Sequence, residues 1–115
     1  MKDKTSYTIK ELPENERPRE RMVAYGADHL SNGELLAILL GSGSQQESAL
    51  RLADKILVKA GELRFLPGMT LEELQEIKGI GLAKAVRVKA ALELGKRLAQ
   101  AIHSASQSIN SPEDA

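Results

Sequence analysis

Apolar positions along this chain recur at helical spacing, and nowhere do they alternate with period two over more than a few residues. The run Leu35-Leu36-Ala37-Ile38-Leu39-Leu40 is apolar all round, the pattern of a buried helix. Further on, Ala85, Val88, Leu92, Gly95, Ala99 and Ile102 follow one another at steps of three and four, which is one helix face. Gly95 on that face predicts the close approach of another helix, the 35–40 segment. Helix starts are marked by Ser31-Asn32-Gly33-Glu34, Ser44-Gln45-Gln46-Glu47 and Thr70-Leu71-Glu72-Glu73. In each, the hydroxyl can accept from one free N–H while the Glu reaches back to another. Gly26, Gly41 and Gly61 follow apolar runs and suit the left-handed residue after a helix, and Pro18 suits a first helical position. The pattern predicts an all-α domain of five helices, at 18–25, 31–40, 47–60, 71–77 and 82–103.

The ends read differently. Residues 1–16 mix charges with Pro13 and form a partly flexible arm, from which Ile9 and Leu12 could dock on the core. The domain proper spans 17–103. The stretch from Ser104 to Ser111 reads as a linker. Ser111-Pro112-Glu113-Asp114 then has the cap, the proline and the acids of a new helix, so residues 104–115 are expected to lead into a missing C-terminal domain.

Composition narrows the chemistry. A chain of 115 residues is one domain, and its three aromatics leave Leu, Ile, Val and Ala to make the core. The absence of Cys excludes disulfides and thiolate metal sites. Six consecutive apolar residues cannot span a bilayer, and no signal core follows the N-terminal charges. The expectation is a cytoplasmic protein with no membrane partner. His29 and His103 stand far apart with no carboxylates at ligand spacing, and no catalytic triad, P-loop or dinucleotide fingerprint is present. No catalytic residue, metal or cofactor is therefore assigned. Asp28-His29 reads as a loop closure or an aid to the next helix start, and Arg17-Pro18-Arg19-Glu20-Arg21, which could touch a phosphate, reads first as a solvated helix face with internal salt bridges.

Net charge is zero, with 16 basic and 16 acidic residues, but the charge is unevenly placed. Between residues 78 and 97 lie Lys78, Lys84, Arg87, Lys89, Lys96 and Arg97 against Glu93 alone. That block opens at Ile77-Lys78-Gly79-Ile80-Gly81. A G-x-G turn between helices leaves N–H groups pointing outward, a seat for phosphate. With its flanks the stretch reads L-x-x-I-K-G-I-G-x-x-x-A-x-x-V and resembles the helix-hairpin-helix motif. By that resemblance Ile80 plugs the helix pair, and the N–H groups around Gly79, Gly81 and Ala83 meet the phosphates of one DNA strand. Lys78 and Lys84 add charge there, and Arg87 extends the set. Such contacts carry no base information, so the expected ligand is duplex or branched DNA, bound without sequence preference. The competing reading is a plain corner joining two helices.

Shifting the chain by 38 residues lays Leu36 on Leu74, Leu39 on Ile77, Gly41 on Gly79, Gly43 on Gly81, Leu50 on Val88 and Ala53 on Ala91. Both segments read helix, G-x-G, helix. One such pair cannot bury its own apolar faces, whereas two together can. The first hairpin, Gly41-Ser42-Gly43-Ser44, offers hydroxyls to a phosphate. No Lys or Arg lies between Met22 and Leu50, and Glu34 and Glu47 would repel an anion. It is a secondary candidate, with a structural role favoured.

The stretches ERPRERMVAYGADHLSNGELLAILLGSGS, SALRLADKIL and LQEIKGIGLAKAVRVKAALELGKR together resemble the N-terminal region of the bacterial RadC family. The resemblance covers nearly the whole chain. It implies tandem helix-hairpin-helix architecture, and the family name implies DNA repair. It also implies a following JAB/MPN-type domain with a zinc site of the form H-x-H-P-x-G plus an Asp. That motif is absent from these residues, so no hydrolase role is carried over. The expected function is a non-catalytic DNA-binding module. The alternative is a protein-interaction or structural module that positions the C-terminal domain.

Overall fold

The computed structural model of the chain describes residues 17–109. The expected N-terminal arm and the helix start at Ser111 lie outside them. Five α-helices run in order: α1 Pro18–Tyr25, α2 Asn32–Leu40, α3 Ala49–Ala60, α4 Leu71–Gln75 and α5 Leu82–Ile109. Two 3₁₀ helices, Ala27–His29 and Leu63–Gly68, join them, so the expected inventory of five helices is too small. No strand occurs among the described residues, and no helix there is long and apolar enough to cross a membrane.

Two of the three expected capping boxes form. The Ser31 hydroxyl accepts from Glu34 N–H at 3.1 Å while Glu34 accepts from Ser31 N–H at 3.0 Å. Thr70 and Glu73 make the same exchange at 3.0 and 2.9 Å. The third box does not form. Ser44 Oγ accepts from the Gln46 and Glu47 N–H groups, and Ser44 N–H donates to the Glu47 carbonyl at 2.8 Å. These bonds close a local turn. The Glu47 carboxylate turns away to Lys55. Helix α3 therefore starts two residues later than predicted, with buried Ser48 as its cap accepting from Arg51 N–H at 3.2 Å. Gly26, Gly41 and Gly61 end their helices at positive φ, as their positions predict.

The core gathers Leu36, Ala37 and Leu40 of α2, Leu52, Ala53 and Ile56 of α3, Leu74 of α4, Ile77 and Ile80 of the turn, and Ala85 and Val88 of α5. It is aliphatic, and Tyr25 and Phe65 lie exposed. Helix α3 packs on α2, and α5 packs on both α2 and α4. The expected ion pairing within the Arg17–Arg21 run instead crosses elements, since Arg21 Nε meets Glu34 at 2.7 Å.

Helix α5 departs most from expectation. It runs 28 residues, through the segment read as a linker, to Ile109. At 1.5 Å per residue that is about 42 Å of helix. Only its first three turns reach the core, and every residue from Glu93 to Gln107 is exposed. Among the described residues a Cβ placed on Gly95 would meet nothing within 4 Å, so none of the described helices makes the expected close approach there. The predicted stripe is buried at Ala85 and Val88, half-buried at Leu92 and exposed at Ala99 and Ile102.

Candidate nucleic-acid interface

The turn from α4 to α5 is built by two hydrogen bonds and one glycine. Ile77 N–H donates to Leu74 O at 3.2 Å and Ile80 N–H to Ile77 O at 3.0 Å. Gly79, at φ 99°, reverses the chain between them. Ile77 and Ile80 thereby face the core, where both are buried. Ile80 occupies the position of a plug, and its side chain is unavailable to a ligand. Gly81, Leu82 and Ala83 are exposed, Lys84 is half-buried, and Lys78 points to solvent.

Helix α5 begins with Ala85 N–H donating to the Gly81 carbonyl at 3.0 Å. The N–H groups of Leu82, Ala83 and Lys84 precede that first bond and have no carbonyl one turn back. Gly81 has no side chain with which to cap them. Helices α2, α3 and α4 all carry a Ser or Thr cap, whereas α5 follows Gly81 and has no side-chain cap among the described residues. Among the described residues neither Lys78 nor Lys84 has a carboxylate within ion-pair distance.

The two glycine hairpins touch. A Cβ on Gly79 would lie 2.7 Å from Leu52 Cδ2 and 3.3 Å from Ser44 Cβ, so the second turn lies directly on the first turn and α3. Arg87 ties them together from the other side. Its Nη1 donates to the Leu40 carbonyl at 3.1 Å and stands 3.1 Å from where a Gly41 Cβ would be. A cation on the last carbonyls of α2 satisfies an orphan acceptor and complements the helix dipole. Arg87 therefore positions the hairpins through this bond while the residue itself remains exposed. The same bond brings a cation to the first hairpin, which lacks one in its own stretch of sequence. The expected repulsion there is also reduced, because Glu34 is paired with Arg21 and Glu47 with Lys55.

The 38-residue correspondence holds in part. Leu36 and Leu74 are both buried, and Gly41 and Gly79 both take positive φ. Leu39 is exposed where Ile77 is buried, and exposed Ser42 stands where Ile80 plugs the core. The first loop folds back on itself: a Cβ on Gly43 would lie 2.1 Å from the Glu47 carbonyl, whereas one on Gly81 would meet nothing. One hairpin is closed over its own backbone, and the other is open. Sequence reasoning missed Ser48 because Ser44 matched the box pattern four residues earlier. It missed the Arg87 bridge because nothing local links positions 40 and 87.

The UPF0758 N-terminal family matches residues 9–86. The chain belongs to that family. A UPF0758 protein of Caldanaerobacter subterraneus subsp. tengcongensis is 46% identical over 114 residues, covering 99% of this chain and 49% of the relative. One from Moorella thermoacetica is 63% identical over 92 residues, covering 80% of this chain and 40% of the relative. One from Bacillus cereus is 50% identical over 106 residues, covering 92% and 47%. The chain spans about half the length of the curated relatives it matches. No solved structure matches it. Among the described residues no group of three or more His, Cys, Asp or Glu side chains could hold a metal ion.

Proposed function

We propose that this chain is a non-catalytic module that binds DNA through its sugar-phosphate backbone, without sequence preference, as a tandem helix-hairpin-helix unit. One observation carries the reading. Among the described residues the N-terminus of α5 has no side-chain cap, and it lies between Lys78 and Lys84, neither of which has a carboxylate partner there. Backbone N–H groups there would donate to a phosphate, with Gly79 shaping the turn and Gly81 and Ala83 allowing the close approach. Ile80 holds the turn from beneath. The neighbouring Gly41–Ser44 hairpin, touching Gly79, would offer Ser42 to the next stretch of strand.

A backbone-only interface gives a Kd on the order of 10⁻⁴ to 10⁻⁶ M at physiological salt, weakening steeply as salt rises. The test is an amide-resolved NMR titration with duplex, single-stranded and four-way-junction DNA at two salt concentrations. The expected result is salt-sensitive shifts across 78–84. Flat spectra in every titration overturn the reading.

A second reading rests on a different observation, the exposed aliphatic side chains of the distal half of α5. In it the domain positions the remaining half of the longer relatives, where the RadC-like resemblance places a metallohydrolase-like domain. The double substitution Lys78→Glu and Lys84→Glu separates the two. DNA binding lost, with interdomain contact intact, supports the first reading. The reverse supports the second.

A further inference from the structure

A groove beside the α4–α5 turn concentrates positive charge that the turn itself does not account for. Its walls are α3 and the 76–78 segment, and its volume is about 520 Å³, room for a stretch of phosphodiester backbone. Arg51, Lys55, Lys59 and Lys78 line it, against the carboxylates of Asp54 and Glu76. The four cations are not equivalent. Lys55 is held by Glu47, and Lys59 Nζ meets Glu76 at 2.5 Å. Arg51 and Lys78 are exposed and have no carboxylate partner among the described residues.

Arg51 is also well placed by the backbone. It lies in the first turn of α3, where its N–H bonds the Ser48 cap at 3.2 Å. Its chain neighbour Leu52 is the residue that packs on the Gly79 turn. The guanidinium therefore grows from a rigid helix immediately beside the hairpin, with one face of the groove fixed under it. A planar fork of this kind, left without a carboxylate, fits the two free oxygens of a phosphodiester.

We propose that Arg51 is a further DNA-binding residue, and that the α3 groove it shares with Lys78 carries the phosphate path beyond the hairpin. The inference rests on the DNA-binding reading of the α4–α5 turn and adds α3 to it. Lys55 and Lys59, tied to their carboxylates, frame the groove and contribute little net attraction. Phosphates leaving the amide seat at 81–84 would pass Lys78 and meet Arg51, so the footprint crosses from the second helical hairpin onto the second helix of the first.

The test is fluorescence anisotropy of a labelled mixed-sequence duplex of about 20 base pairs, titrated between about 50 and 200 mM salt. The quantity read is the slope of log K against log salt. Arg51→Ala is expected to weaken binding several-fold at low salt and to reduce that slope by about 0.9, the value of one lost phosphate contact. Arg51→Lys should keep most of the slope, because the charge stays. Arg51→Gln should lose it with side-chain length retained, which guards against a packing effect in the Ala variant. Lys96→Ala, on the exposed half of α5, is the control and should change neither quantity. If the wild-type chain binds no duplex, the underlying reading fails and this one with it. If Lys84→Ala loses slope while Arg51→Ala and Arg51→Gln keep it, the hairpin reading stands and the groove inference is overturned.

Discussion

Gly79 and Gly81 are two residues apart and serve different ends. Gly79 takes φ 99°, and any Cβ would press on Leu52 at 2.7 Å. Both the backbone and the neighbour demand glycine, since a left-handed residue with a side chain costs about 1–2 kcal/mol before any clash. Gly81 has no positive φ, and its Cβ would enter open space. On the proposed DNA-binding reading, its missing side chain would serve access to the N–H groups that follow. Gly79→Ala is therefore expected to lower stability by at least about 1–2 kcal/mol in a denaturant melt. Gly81→Ala should cost under about 1 kcal/mol, the scale of changing an N-cap residue. The same Gly81→Ala chain, still folded, should lose DNA affinity because the methyl group crowds the amide seat. Equal destabilisation by the two substitutions would contradict this division of roles.

At the scale of elements, the capping boxes of α2 and α4 also set a pH dependence. The Glu34 carboxylate lies below its ordinary range, first because the Ser31 N–H donates to it and also because Arg21 is beside it. Glu73 is lowered likewise, chiefly by the Thr70 N–H. A carboxylate whose folded pKa is depressed stabilises the fold above its unfolded pKa, near 4.5, and that stability is lost as pH falls through the folded value. Melting temperature should thus be level from neutral pH to about 5 and fall below that. Glu34→Gln should flatten part of the decline, and an unchanged profile in that variant would exclude the box as its source. These two boxes were readable in sequence because each is a local bond pattern over four residues. The Ser44–Glu47 match has the same letters and fails, because Ser44 is drawn into a turn packed against Gly79, a contact 35 residues away. Ile80 as plug was legible from its apolar place between glycines. The Arg87 bridge and the Arg51 groove were not, since tertiary packing alone brings those side chains to their partners.

For the whole molecule, the unresolved tension is between a small aliphatic core and a helix that leaves it. Leu94, Leu98 and Ile102 are 70%, 60% and 61% exposed on successive turns of α5. Isolated apolar side chains on a surface need no explanation, but three in register on one projecting helix form a seam. Relatives of about twice this length contain further chain that could cover such a seam, which is the observation behind the positioning role. That proposed role and the proposed DNA binding occupy opposite ends of α5, so one molecule could combine them: the hairpins at its start would hold phosphate, and its distal turns would hold the further chain that the longer relatives carry. The arrangement predicts a separation of effects. In the 115-residue chain Leu98→Lys should leave the melting temperature nearly unchanged, within about 0.5 kcal/mol, because no core contact is lost. Its DNA affinity should not fall either, since the added charge lies far along the helix from the hairpins. In a full-length family member carrying this helix, the same substitution would put a charge into a covered seam and should loosen the two halves, read as faster proteolysis between them. A marked loss of stability in the short chain alone would mean that the seam is already covered within it, and the projection of α5 would then be wrong.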